Sequence, residues 1–412
     1  SSAVMCRSRM AAKASEPSRS PASNPRIAVR SSPRSSSSGR LDNFGSASAS
    51  SASSYHLDSS VATASVSSST ASLASLRDAL PSSTQIYDFS AIRAATNNFL
   101  GRRLSTRSST SQSWRCVLSG KDAVVFQRRL RRSMTEPDVR RKLAVISKCH
   151  FTSIVKLLGV SISGEYIYLV YEFVQGSDLG SCLRNKLNPD YTVLSTWMSR
   201  MQIATDIAHG LDYIHNTAGL SIDMVHKHVK SSAVLVTEPS FNAKICHFGA
   251  AELCGEGGGS SAEARQLEGV RVYMSPEFRS TGLPTQKSDV YAFGIVLLEL
   301  MTGQEPVTLK LDRTTGDYRS TSLVDTARDA VAAEDGGGRL RTWMDRRLRD
   351  SFPVEAAEKL TRVALQCVEE DPDRRPEMKW VAGKISKLYL TSKIWTERIK
   401  LPSEISVSIA PR

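Results

Sequence analysis

The sequence predicts an α+β fold of two unequal lobes, a small β-rich lobe followed by a larger α-helical one, behind a disordered tail. Three observations carry this. Short β-branched runs cluster between residues 113 and 174, helix-period runs fill the chain after Gly176, and the first 85 residues hold few large apolar side chains.

Residues 1–85 are rich in Ser, Ala and Arg, as in RSSPRSSSSGR and SASASSASS, with nine Lys/Arg against four Asp/Glu. So little apolar area cannot offset the entropy of ordering, and disorder is expected. A basic, Ser-rich leader also fits plastid or mitochondrial targeting, the alternative to a phosphorylatable tail. Cys6 is a candidate for palmitoylation, whereas no glycine follows Met5 to take myristate.

From Tyr87 the composition changes. YDFSAIRAATNNF sets Phe89, Ile92 and Ala95/Thr96 at helical spacing. SWRCVL (113–118), DAVVFQ (122–127), SIVKLLGV (153–160) and YIYLVYEFV (166–174) read as strands, and VRRKLAVISKC (139–149) as the helix between them. WMSRMQIATDIAHGLDYIH carries Met201, Ala204, Ile207, Ala208, Leu211 and Ile214 on one helical face. SDVYAFGIVLLELMTG (288–303) is apolar nearly all round and so predicts a buried central helix, started by Ser288 and Asp289 and ended by Gly303. EAAEKLTRVALQCVEE (355–370) predicts another amphipathic helix. The stretch around AAEDGGGRL (332–340) reads as a surface loop.

Composition narrows the function classes. Of 412 residues 40% are hydrophobic, enough for a sizeable core, and the formal charge is +13. Such charge suits an acidic partner or an anionic membrane, and a solvated basic surface accounts for it equally. No nucleic-acid module accompanies it, so no nucleic-acid partner is expected. The seven cysteines are odd in number and lack C-x-x-C pairing, which points to reduced thiols. No apolar run approaches the roughly 18 residues of a membrane span. A soluble, cytoplasmic protein without a transmembrane segment is the expectation, with peripheral attachment at the plasma membrane a further one.

Several stretches together resemble the protein-kinase fold: LVYEFVQGSDL, MVHKHVKSSAVLV (224–236), the HFG of residues 247–249, VRVYMSPEFRSTGLPTQKSDVYAFGIVLLELMTG and CVEEDPDRRPEM. The likeness covers residues 87–390 and is greatest to plant receptor-like kinases, among them the lysin-motif receptor kinases and their soluble relatives. It implies a kinase-like N-lobe at 86–175, a C-lobe at 176–390 and a C-terminal extension at 391–412, where Trp395 is a candidate to dock the tail. The resemblance assigns Tyr171 to the gatekeeper and Glu172 and Phe173 to the adenine edge. It pairs Glu277 with Arg375, sets Asp289 as a cap on the catalytic loop, and aligns Ile146, Leu169, His226 and Phe248 as a hydrophobic spine, with Gly249 completing HFG.

The catalytic parts depart from the family. Phosphoryl transfer is positioning and charge neutralisation, so the parts are few. The stretch LSTRSSTSQSWRC (104–116) holds no glycine where a Gly-rich loop should cover phosphates. The β3 lysine aligns with Gln127 and its helical glutamate partner with Lys142. The catalytic Asp is His228, the metal-binding Asn is Ala233, and the magnesium-holding Asp is His247; Lys230 is retained. Neutral imidazole is a poor magnesium ligand. His228, His247 and Cys246 as a transition-metal site is an alternative, but no metal and no cofactor are expected, with ATP–Mg²⁺ binding weak or absent.

The stretch from Arg128 to Lys142 holds six Arg and one Lys against Glu136 and Asp138, and is a candidate docking patch for a phosphorylated or acidic partner. The Gly/Ser-rich segment after HFG is expected to be mobile, with Ser260 and Ser261 as phosphate acceptors. The resulting expectation is a catalytically inactive pseudokinase that binds or scaffolds other signalling proteins, beside an active receptor kinase. The competing class is an unconventional protein Ser/Thr kinase; a third is an inactive domain that keeps nucleotide as a structural ligand.

Overall fold

The computed structural model describes residues 85–101, 103–104, 112–217, 224–256, 268–311, 316–332 and 337–400. The tail at 1–84, the glycine-free stretch at 105–111 and the acceptor serines Ser260 and Ser261 lie outside the described residues.

The small lobe runs β1 (Gln85–Ile86), α1 (Phe89–Ala95), β2 (Gln112–Leu118), β3 (Lys121–Arg129), α2 (Glu136–Ile146), β4 (Leu157–Ser163) and β5 (Tyr166–Glu172). Its sheet has the order β1-β4-β5-β3-β2, with β1 parallel to β4 and the other pairs antiparallel. Alternate side chains take opposite faces. Cys116, Leu118, Ala123, Val125, Tyr168 and Val170 form an outer cluster closed by Ile92 of α1. Ile167, Leu169 and Tyr171 point the other way, into the main core. Helix α2 starts where Thr135 accepts the Asp138 amide, with Pro137 and two acidic residues in its first turn, and buries Val139, Leu143 and Ile146.

The strand expected at 153–160 begins four residues later. Backbone groups at 153–155 bond across to Ile245 instead, through Ile245 N to Ser153 O at 2.7 Å and Val155 N to Ile245 O at 2.9 Å. Those residues stitch the lobes rather than extend the sheet.

The large lobe holds β6 (Gly176–Asp178), α3 (Leu179–Leu183), α4 (Trp197–Asp212), β7 (Val234–Thr237), β8 (Ala243–Ile245), α5 (Ala250–Cys254), α6 (Pro276–Thr281) and α7 (Gln286–Thr302). It continues with β9 (Val307–Leu311), β10 (Tyr318–Ser322), α8 (Leu323–Ala332), α9 (Gly338–Trp343), α10 (Val354–Cys367) and α11 (Met378–Lys400). Helix α7 is the central one: from position 288 on, every residue but Tyr291 is buried. Its cap is Thr285, which exchanges hydrogen bonds with Ser288 in a capping box, one turn ahead of the start expected at Ser288 and Asp289. Helix α11 lies along α4, where Trp197 Nε1 donates to Ser392 Oγ at 2.9 Å. It runs unbroken through position 390, so the boundary placed there falls inside a helix. Part of the expected 332–340 surface loop is likewise helical: α9 starts at Gly338 and buries Leu340 against the core.

Candidate functional site

Of the sequence-assigned residues, His226, His228, His247, Tyr171 and Phe248 lie together between the lobes, Glu277 and Arg375 pair within the large lobe, and Gln127 lies apart. Because strand side chains alternate, a lysine that serves the cleft must sit on the inward face of β3. Gln127 does not: it lies on the outer side, its Nε2 donating to Tyr168 Oη at 3.4 Å. The inward residues are Val124, Phe126 and Arg128, a shift of one residue that exchanges the faces. Phe126 meets the His247 ring edge-on at 4.7 Å between centroids and the Tyr171 ring at 5.9 Å.

At the stretch assigned to the adenine edge, a side chain of β2 meets the residue that follows β5. Register sets Arg115 of β2 opposite Val124, and Val124 opposite Tyr171. The Arg115 guanidinium lies 3.7 Å from the centre of the Phe173 ring, a cation–π contact, and 3.5 Å from Asp122. Phe173 N donates to Asp122 O at 3.1 Å. Glu172 accepts the Lys156 amide at 3.2 Å. The buried Tyr171 donates its hydroxyl to the Phe248 carbonyl at 2.9 Å, fastening the gatekeeper to HFG.

Asp289 ties the segment that starts at His226 to the large lobe. Asp289 accepts the backbone amides of His226 at 2.6 Å and Lys227 at 2.8 Å, and its Oδ2 lies 3.1 Å from His215 Nε2. Burial alone would raise the Asp289 carboxyl, but the His215 hydrogen bond and the field of His215 and His226 hold it below its ordinary range. Ile146, Leu169, His226 and Phe248 are all buried. His226 is itself pushed down to about 4, by burial above all. Arg375 forks onto Glu277 with two 2.7 Å bonds and spends its remaining donors on the Glu369, Lys287 and Glu370 carbonyls. Gly249, at φ 79°, has no room for a side chain, since a Cβ would stand 2.7 Å from Ile146 Cδ1.

The charges of the reacting end are exchanged rather than merely lost. Lys142 of α2 donates to Glu252 of α5 at 3.2 Å, and Lys227 of the catalytic loop reaches the same carboxylate at 3.1 Å. His228 Nε2 lies 2.9 Å from Glu256 Oε2. Burial opposes ionisation of Glu256, yet His228, Arg128 and Arg131 together pull its carboxyl down to about 2. His247, at φ 65°, is held well below the usual imidazole range by burial first and then by Arg128, so it is neutral at pH 7. Its Nδ1 and the Nε of Arg128 are buried without a hydrogen-bond partner among the described residues. Lys230 is lowered by burial and by Arg128. Ala233 is buried, with its amide on the Lys230 carbonyl at 2.9 Å.

Magnesium and nucleotide phosphates do not fit this donor set. The positions that would grip them hold a phenylalanine ring, two imidazoles and a methyl group, and the neighbouring carboxylates are engaged by Lys142, Lys227 and His228. The Cys246 thiol, raised to about 12 by burial, stays protonated. Among the described residues no three His, Cys, Asp or Glu side chains converge to hold a metal.

Phe126, Arg128, Arg115, Glu252 and Glu256 were not singled out from sequence as parts of the cleft. The two glutamates sit in a segment read as mobile, which for residues 250–254 is instead helix α5. A signal was present: AAELC lies between Gly249 and Gly255, both left-handed in φ, as a short helix with glycine at each end requires. In the stretch from Arg128 to Lys142 several cations have carboxylate neighbours, most of them at exposed side chains. Arg129 pairs with Glu165, Arg140 with Glu136, Arg141 with Asp138 and Lys142 with Glu252, while Arg128 turns into the cleft.

Comparison with known proteins agrees with this architecture. The profile described as protein tyrosine and serine/threonine kinase matches residues 120–385. The chain is 30% identical over 327 residues to LysM domain receptor-like kinase 3 of Arabidopsis thaliana, covering 78% of this chain and 48% of that one. It is 30% identical over 300 residues to probable serine/threonine-protein kinase PBL28 of the same plant, covering 72% of this chain and 76% of that one. The first two curated relatives are spanned over about half their length, 48% and 45%. Among solved structures, the pseudokinase domain of BIR2, an immune regulator of the RLK/Pelle family, aligns with a TM-score of 0.57 at 25% identity, covering 77% of this chain and 93% of that one.

Proposed function

This chain belongs to the protein tyrosine and serine/threonine kinase family, and from that membership we propose a pseudokinase that binds and scaffolds instead of transferring phosphate. One observation supports the reading: in the cleft assigned to nucleotide, the chain's own side chains pack on one another, Arg115 on Phe173 and Phe126 against His247. By the resemblance, adenine would stack at the first of these contacts, and a lysine and a metal carboxylate would meet at the second. Among the described residues, the nearby carboxylates Glu252 and Glu256 are engaged by Lys142, Lys227 and His228.

The likeness to lysin-motif receptor-like kinases and to an immune-regulatory pseudokinase supports a place in plant receptor-kinase signalling. The partner in this reading is an active receptor kinase on the cytoplasmic side of the membrane. No helix among the described residues is long and apolar enough to cross a membrane. The family scaffold, kept through Asp289, Arg375 and the buried spine, preserves the surface that partners would contact.

The test is thermal unfolding of the whole chain with ATP alone, with ATP–Mg²⁺ and with ATP–Mn²⁺, beside a phosphate-transfer assay. A ligand bound at 100-fold its Kd stabilises by about 2.7 kcal/mol, a readily measured shift. No shift and no transfer are expected. A shift without metal would replace this reading with a structural nucleotide. Transfer that disappears in His228→Ala would replace it with an unconventional kinase.

A further inference from the structure

Far from the cleft, helices α10 and α11 leave a groove of about 770 Å³ between their outward faces. On α10 it is lined at 355, 356, 359, 362, 363 and 366, and on α11 at 380, 384, 387, 388, 391, 394, 395 and 398. Both sets step by three and four, so each helix offers one continuous stripe. The α11 stripe runs from Trp380 to Arg398, about 27 Å of helix axis.

The floor is apolar: Val363, Leu388, Trp380, Ile394 and Trp395. Trp380 is 41% exposed and Ile394 51%, a high exposure for large apolar side chains. The rims are cationic, with Lys359 and Arg362, the latter paired with Glu358 at 2.8 Å, on one side and Lys384, Lys387 and Arg398 on the other. Glu355 is the only carboxylate in the lining, and Lys359 engages it at 2.5 Å.

We infer that this groove receives an amphipathic acidic helix of a partner protein, with its apolar stripe on the floor and its carboxylates on the lysine and arginine rims. Two parallel stripes with a trough between them fit a third helix, the helix-in-groove mode of recognition. Charge decides whose helix it is. Residues 1–85 of this chain are net basic, residues 401–412 hold one Glu and one Arg, and a second copy brings a charge of +13. None of these complements five cations. A flat anionic bilayer matches the charge but not the concavity. The inference stands whether or not the cleft handles nucleotide.

The experiment titrates the full chain into a fluorescent peptide of about 18 residues with Leu at i, i+3, i+4 and i+7 and Glu on the flanks. Saturable anisotropy that weakens with salt is expected, as screened charge contacts require. Lys387→Glu with Arg398→Glu should weaken binding about tenfold or more. Ile394→Asp should abolish it, with the melting temperature of each variant unchanged because these side chains are exposed. A peptide with Lys in place of Glu should not bind. Absent binding, or binding indifferent to these substitutions, overturns the inference. So does a tenfold gain on deleting 401–412, which would make the chain's own tail the occupant. Self-association lost in Ile394→Asp would make it a second copy, and a Trp emission shift on phosphatidylserine vesicles that the peptide does not compete would make it a membrane.

Discussion

Replacing Glu256 by Gln removes one negative charge from a buried cluster that holds His228, Arg128 and Arg131 around it. The Glu256 carboxyl is lowered from 4.5 to about 2, with burial opposing and His228, Arg128 and Arg131 prevailing. Each unit of such a difference is about 1.4 kcal/mol, so the carboxylate contributes about 3 kcal/mol at pH 7. Because its folded pKa is depressed, the contribution is complete above the unfolded value of 4.5 and is lost as pH falls toward 2. Linkage leaves about 2 kcal/mol at pH 3.5. Urea unfolding of wild type and Glu256→Gln, followed by tryptophan fluorescence, should show a gap of about 3 kcal/mol at pH 7 that narrows by roughly a third at pH 3.5. A gap below about 1 kcal/mol at pH 7, or one that does not narrow in acid, would refute the view that this carboxylate neutralises the cleft.

Three other outcomes are expected. Glu277→Ala strands a fully buried Arg375 and should cost about 3 kcal/mol, the low end of the usual range because three carbonyls still accept from the guanidinium; thermal melts measure it. Gly249→Ala forces a Cβ against Ile146 at positive φ and should cost about 1–3 kcal/mol in the same assay. Arg115→Ala combined with Phe126→Lys removes the contact on Phe173 and adds a lysine beside Arg128 on the inward face of β3, so this variant should gain a melting shift with ATP that the wild type lacks.

Much of the frame was legible because its signals are local. The run from Ser288 to Gly303 is apolar on every side, which only a buried helix tolerates, and Glu277, Asp289 and Arg375 stand in stretches that resemble the family closely. The inward face of β3 was not legible. AVVF offers four apolar residues in succession, so no polar–apolar alternation marks which side faces the core, and Gln127 stood out only by being polar. Pairing with β5 decides it, since Leu169 and Tyr171 face the core and carry Phe126 and Val124 with them. The roles of Glu252 and Glu256 depend on contacts from both lobes, among them Lys142, 110 residues away in sequence. Nothing near them in the chain announces such a partner.

Three bonds cross between the β-rich lobe and the segment that starts at HFG: Tyr171 to the Phe248 carbonyl, Arg131 N to the Cys254 carbonyl, and Lys142 to Glu252. A chain tied this way has already given up the entropy of lobe swinging during its own folding. A visitor that spans both lobes then finds the geometry ready and spends none of its contacts on closing it. In the proposed reading such a chain works as a preset gauge: the visitor meets one shape, and occupancy follows from its concentration.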